Sequence, residues 1–305
     1  MSTRTIDFCI PFVGYGARYA EHLISNLFAT ARFPDRITIS MTAHSDADAQ
    51  CIRALPVANR VGDVITVPSY PDHMNFSGSA NHSRAINALA ARSDADITIF
   101  SDHDMAFLEG GWDARIEAIL ESSDLCGVAY QKEWLTYSWK KAPWLAEAPL
   151  AKYQDAPNLS FLAITKPCLA GVFKGRLTEF DVYLEHGGFP FRIVDNPAMA
   201  RILGIPVAAV WWLDTGLEIP MVIAGQNLKA TVFPHVPFPQ QEVFLPLERF
   251  AQEAPHRLPE VFSDPATGKP LVAHFKKGSA KAKTATGERE FQAFEQDVAG
   301  WVKRG

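Results

Sequence analysis

Ile97-Thr-Ile-Phe-Ser-Asp-His-Asp-Met105 begins as a β-branched and aromatic run, the composition of a buried strand, and ends in two carboxylates. Side chains two apart on an extended chain share a side, so Asp102 and Asp104 face one site while His103 faces away. Two bare carboxylates about 4 Å apart repel by about 4 kcal/mol at an effective dielectric near 20, so the pair is costly without a cation. Mg2+ or Mn2+ takes oxygen ligands and keeps positions open for substrate phosphates, and ligands of open α/β sheets sit beyond the strands' carboxyl ends. An isolated Asp-x-Asp is also compatible with a solvated turn. The flanking sequence has to separate the two.

Upstream, Asp7 to Val13 reads as a first strand closed by Pro11, and Gly14 and Gly16 make a turn. From Tyr19 to Ala31 the apolar residues Leu23, Ile24, Leu27 and Phe28 recur at helical spacing, and Pro34 stops that helix. Ile37 to Met41 is a second strand running into the polar turn His44 to Asp48, and Val64 to Val67 is a third. After a loop from Pro68 to Ser79, Ser79 or Asn81 caps a helix with the stripe Ala85, Ile86, Leu89 and Ala90. Strand and helix alternation of this kind predicts a mostly parallel sheet with helices on both faces.

Downstream, a helix is marked by Ile116, Ile119 and Leu120, and Leu125 to Tyr130 is a strand. Composition then shifts. Gln131 to Pro157 carries Trp134, Trp139 and Trp144 among prolines, either a sugar-contacting wall or the cover of a core edge. Further strands are expected at Leu169 to Phe173, Val207 to Leu213 and Lys229 to Phe233. A helix from about Leu217 ends at Gly225, a small-residue loop spans Ala280 to Gly287, and an amphipathic helix closes on Phe291, Phe294, Val298 and Trp301. The expected organisation is two abutting halves, 1-130 and 131-305, the second ending in a lid loop and helix.

A chain of 305 residues, 48% hydrophobic, has ample material for a large core. Its amino terminus lacks a signal-peptide pattern, and no stretch approaches the ~18 uninterrupted apolar residues of a membrane span. The expectation is a soluble cytoplasmic protein with no membrane span. The net charge of -5 offers no basic footprint for nucleic acid, although Lys276, Lys277, Lys281 and Lys283 form a local positive cluster suited to a small anion. Cys9, Cys51, Cys126 and Cys168 lack metal-ligand or disulfide-framework spacing and read as reduced thiols.

Asn81 to Asp104 resembles, without a gap, the helix and strand of family-two-like glycosyltransferases of the GT-A fold, with Ser83, Asn87, Asp102 and Asp104 on the family's positions. Asp214-Thr-Gly-Leu217, Gly225 and the run Lys229 to Pro234 resemble the family's later acidic motif, its helix and the strand that follows. The resemblance implies a Rossmann-like GT-A architecture and a Mn2+- or Mg2+-dependent transfer of one sugar from a UDP- or GDP-sugar to a carbohydrate or other hydroxyl acceptor. It implies Asp104 as the firmer metal ligand, Asp102 in contact with the ribose or with the metal through water, and donor contacts from Pro11, Asp46, Ser83, Arg84 and Asn87 as well as Asp102. Asp214 falls on the general base of inverting members, with Glu185 and Glu218 in reserve and a helix cap as its structural alternative. His274, followed by Lys276, Lys277 and Ser279, looks like the late histidine and phosphate-binding segment that complete many such sites, and His235 competes with it. The acid that normally ends the second strand falls near Thr42, and here the carboxylates arrive later, at Asp46 and Asp48. A sugar nucleotidyltransferase and a non-catalytic nucleotide-sugar binder of the same fold are the alternatives.

Overall fold

The computed structural model describes residues 4–12, 14–69, 77–129, 156–178, 183–185, 192–194, 219–236, 259–275 and 284–303. The chain opens with β1 (Ile6–Pro11), α1 (Ala17–Thr30), β2 (Ile37–Ala43), α2 (Asp46–Ala54), β3 (Val61–Thr66), α3 (Ser77–Arg92) and β4 (Ile97–Ser101). It continues through β5 (Met105–Phe107), α4 (Trp112–Leu120), β6 (Leu125–Ala129), β7 (Pro157–Thr165) and α5 (Lys166–Gly171). The rest comprises β8 (Tyr183–Glu185), β9 (Arg192–Val194), α6 (Ile219–Gln226), β10 (Ala230–Phe233), β11 (Glu260–Ser263), β12 (Pro270–His274) and α7 (Ala285–Val302). Seven strands form one sheet in the order β10-β6-β7-β4-β1-β2-β3, parallel except for β7, which runs antiparallel to both neighbours. This is the mostly parallel α/β sheet that the alternation predicts.

Strand alternation sorts the core onto the two faces. Phe8, Ile10, Ile97 and Ile99 share a buried cluster with Leu23 and Leu27 of α1, Ile52 of α2 and Trp112 and Ile116 of α4. Cys9, Phe100, Leu162 and Ile164 face the other way, onto Ile86 and Leu89 of α3, Leu169 of α5 and Ile219 of α6. The chain therefore winds outward from β1 through β2 to β3 and returns to β4 on the far side of β1. That reversal makes the carboxyl ends of β1 and β4 a topological switch point, the place where open α/β sheets bind ligands.

A second sheet, β11-β12-β5, stands beyond the end of β4. Its Ala106, Val261 and Ala273 pack with Tyr19 of α1 and with Phe291, Phe294 and Val298 of α7. Asn26 of α1 fixes it to the main body like a strand neighbour: its Nδ2 donates to the Phe107 carbonyl at 3.0 Å, and its Oδ1 accepts the Phe107 N–H at 2.6 Å. The described residues include no helix long and apolar enough to cross a membrane.

Several elements depart from expectation, among them the unexpected short strands β5, β8, β9, β11 and β12. Leu169 to Phe173, an expected strand, lies at the end of α5 and in the turn after it. A short apolar run is ambiguous between helix and strand, and Pro167 in the first turn of α5 settles it for helix. Strand β7 instead covers Pro157–Thr165, with Pro157 at a strand's first position where no ladder donor is required. The polar turn after β2 opens helix α2, because the Ser45 hydroxyl accepts the Asp48 N–H at 3.1 Å as an N-cap. The end of the expected loop Ala280 to Gly287 is helical, since Thr284 caps α7 by accepting the Gly287 N–H at 3.0 Å. Val207 to Leu213 and the three tryptophans of 131–155 lie outside the described residues.

Candidate metal centre

Asp102 is the first residue after β4, and its backbone is held from β7: the Asp102 N–H donates to the Ser160 carbonyl at 3.0 Å. Asp104 follows in the link to β5, and its carbonyl accepts the Phe275 N–H at 2.8 Å. That bond extends the antiparallel pairing of β12 with β5, in which His274 stands opposite Met105. His274 therefore meets the Asp-x-Asp link because two strands are in register. On its other side His274 faces Glu260 of β11 as a cross-strand pair.

The result is a compact group. Asp102, Asp104 and His274 each offer one ligand atom, and these atoms all lie within 4.8 Å of one another. His274 Nε2 is 3.3 Å from Asp104 Oδ1 and 3.8 Å from Asp102 Oδ2, while His274 Nδ1 is 3.0 Å from Glu260 Oε2. Burial works against a charged His274, but the Asp104 and Glu260 carboxylates outweigh it and hold the imidazole well above its ordinary value. Asp102 has the opposite balance: burial pushes its carboxyl up, and His82, with 3.3 Å between Nε2 and Oδ1, brings it below the usual range.

The donor set fits a divalent cation. Two carboxylates and an imidazole nitrogen suit Mn2+ or Mg2+. Glu260 fixes the ring by accepting from Nδ1, which leaves Nε2 turned toward the two aspartates, the carboxylate–histidine arrangement that orients metal-binding imidazoles. In the absence of a cation a proton on Nε2 neutralises the same charge.

His103 points elsewhere, as the alternation requires. Its ring stacks on Tyr19 with centroids 5.9 Å apart and comes up against Gly16, where a built Cβ would stand 2.4 Å from Nε2. Pro11 ends β1 in register with Thr42, at the carboxyl edge of the sheet. Asp46 is exposed in the first turn of α2, and the carboxylate that reaches the loop after β1 is Asp48, whose Oδ1 accepts the Gly14 N–H at 2.8 Å. Ser83 is buried, with its hydroxyl against that of Thr178. Asn87 accepts the Leu177 and Thr178 N–H groups at 3.0 and 2.9 Å and donates to the Thr178 carbonyl at 2.7 Å. Arg84 donates to the Pro68 carbonyl at 2.9 Å. His235 packs edge-on against Phe262, with centroids 5.6 Å apart, and does not join the group of three. Asp214, Glu218, Lys276, Lys277 and Ser279 lie outside the described residues, as does the side chain of Glu185.

Sequence reasoning missed two contributors, His82 and Glu260. His82 occupies the register of the α3 stripe with a polar residue, a signal visible in the sequence. Glu260 becomes visible only once β11 is paired with β12.

Fold and site together define an open α/β protein with two carboxylates and an imidazole, a group that could hold a cation, gathered at the carboxyl edge of its sheet. The sequence matches no protein-family model. It also matches no curated protein. Among solved structures, the chain is similar to the mannosyltransferase PcManGT of Pyrobaculum calidifontis in complex with GDP-Man and Mn2+: 11% identity and TM-score 0.43 over 84% of this chain and 65% of that one. It is similar also to glucosyl-3-phosphoglycerate synthase of Mycobacterium tuberculosis in complex with Mn2+, UDP-Glc and glycerol 3-phosphate: 16% identity and TM-score 0.34 over 53% and 57% of the two chains. S. aureus TarS 1-349 in complex with UDP-GlcNAc matches at 15% identity and TM-score 0.31 over 42% of this chain, which spans about a third (34%) of that one. Likenesses this distant leave the function to be read from the site's own chemistry.

Proposed function

We propose that the protein is a divalent-metal-dependent glycosyltransferase that moves one sugar from a nucleoside-diphosphate donor, a UDP- or GDP-sugar, to an acceptor hydroxyl. The observation that carries this reading is the group of Asp102, Asp104 and His274, with Glu260 behind it, at the carboxyl edge of the sheet. The resemblance of Asn81 to Asp104 to family-two-like glycosyltransferases supports it. A diphosphate leaving group develops charge as its bond to the sugar breaks, and a bound Mn2+ or Mg2+ supplies the neutralising charge. Asp102, Asp104 and His274 would hold the cation, each offering one ligand atom, and the bound ion would supply positive charge beside the donor phosphates. Pro11, Asp46, Ser83, Arg84 and Asn87 belong to the donor side of the site, and Lys276, Lys277 and Ser279 supply donors to the phosphates.

Asp214 acts as the base. Its carboxylate takes the proton of the acceptor hydroxyl as that oxygen bonds to the anomeric carbon from the face opposite the diphosphate, so the configuration inverts. The donor is held chiefly by residues 1-130, and the acceptor by residues 131-305.

The test is calorimetric nucleotide binding with and without Mn2+. Asp104→Asn is expected to abolish the Mn2+-dependent part of nucleoside-diphosphate affinity, whereas Asp214→Asn keeps it and loses about two to four orders of magnitude in turnover. Full Mn2+-dependent affinity in Asp104→Asn would sink the metal assignment, and undiminished turnover in Asp214→Asn would return that residue to the role of helix cap.

A further inference from the structure

Helix α3 carries a histidine in line with its apolar stripe. Ala85, Ile86, Leu89 and Ala90 are buried, and three of them, Ile86, Leu89 and Ala90, pack in the cluster that covers one face of the sheet. His82 lies one i, i+4 step before Ile86, hence on the same face and one turn nearer the start of the helix. A helix that returns the chain between parallel strands runs antiparallel to them, so its first turns lie at the sheet's carboxyl edge, where β4 ends. Alternation along β4 turns Phe100 toward α3, in the cluster of Ile86, and Asp102 falls on the same side. The helix register and the strand register thus bring His82 to Asp102.

The contact divides the carboxylate between two histidines. His82 Nε2 is 3.3 Å from Asp102 Oδ1, and His274 Nε2 is 3.8 Å from Asp102 Oδ2. His82 stays outside the group of three whose ligand atoms lie within 4.8 Å of one another. We infer that His82 is a positioning residue for the cation: its Nε2–H donates to Asp102 Oδ1 and commits Oδ2 to the ion shared with Asp104 and His274. Asp102 would then offer the cation a single oxygen. His82 fixes one ligand as Glu260 fixes another, from the opposite side of the site. This role rests on the reading of Asp102, Asp104 and His274 as a metal centre.

The test is a Mn2+ titration followed by electron paramagnetic resonance, without nucleotide, on the full chain and four variants, with thermal melts in parallel. Asp104→Asn should remove the site. His82→Ala should weaken Mn2+ by about 10- to 100-fold, the usual effect of losing a partner behind a ligand, with little change in melting temperature. His82→Leu, which keeps the α3 stripe apolar, should show the same loss and carries the test should His82→Ala fail to fold. His82→Gln, whose amide nitrogen reaches the same oxygen, should recover most of the affinity. Wild-type Mn2+ binding by His82→Ala or His82→Leu alongside an empty Asp104→Asn would overturn the role of His82, as would equal losses in His82→Ala and His82→Gln. Wild-type binding by Asp104→Asn would overturn the metal reading itself and the role of His82 with it.

Discussion

Gly16 has no side chain because His103 stands where one would go. A Cβ there would meet His103 Nε2 at 2.4 Å and Cδ2 at 2.6 Å, distances that force the ring to move. His103 sits between Asp102 and Asp104 and stacks on Tyr19, so the displacement is passed to the backbone that aims both carboxylates. Gly16→Ala should therefore cost about 1–3 kcal/mol of stability, the usual range for overpacking, and weaken Mn2+ binding as well. Gly110→Ala is the control, because nothing lies within 4 Å of its built Cβ. Equal melting temperatures and equal Mn2+ affinities in the two variants would contradict this account of Gly16. At this scale the two-residue spacing of Asp102 and Asp104 was legible as a shared side, whereas His274, which the structure brings beside them, was singled out only through the family resemblance. Glu260 was not: its role exists only through pairing with a strand that follows it, and Leu258-Pro-Glu-Val-Phe-Ser263 reads locally as part of a proline-rich stretch.

Between elements, α7 docks on α1 through Arg18 and His22. Arg18 pairs with Glu288 and Glu295, and the His22 ring lies edge-on to Phe291 and Phe294 at 5.6 and 6.0 Å. Burial first, and the Arg18 charge second, bring His22 down to about 4, with Glu295 at 3.7 Å too distant to reverse the shift. The sign follows from linkage. Above pH 6.5 the imidazole is neutral folded or unfolded; between about 6.5 and 4 the unfolded chain binds a proton that the native fold refuses. Stability should fall across that window, by up to about 3 kcal/mol at its acid end. Urea unfolding at pH 7, 6, 5 and 4.5 would show a shallower loss in His22→Gln than in the wild-type chain, and parallel losses would remove His22 as the cause. Element types were legible wherever apolar periodicity is long, as in α1, α3 and α7. They were lost at Leu169 to Phe173 and at β7, where a run of a few apolar residues satisfies helix and strand alike and tertiary pairing decides.

On the scale of the whole molecule, the mostly parallel sheet with helices on both faces was legible, because strand and helix alternate over the first hundred or so residues; its reversal between β1 and β4 emerges only from the observed strand order. The small sheet β11-β12-β5 was not legible, since β5 and β12 are far apart in sequence and each is too short to announce itself. Yet that sheet carries His274 and Glu260 to the aspartates, so the site exists only in the assembled molecule. The proposed function requires a cation that couples the protein to a nucleoside diphosphate. The direct measurement is a thermal-shift series with UDP, GDP, CDP and dTDP, each with Mn2+ or Mg2+ and each with excess chelator. A ligand at a hundred times its dissociation constant adds about 2.7 kcal/mol of stability. One diphosphate should raise the melting temperature with metal and leave it unchanged with chelator. No shift from any of the four, or a shift indifferent to chelator, would contradict the account.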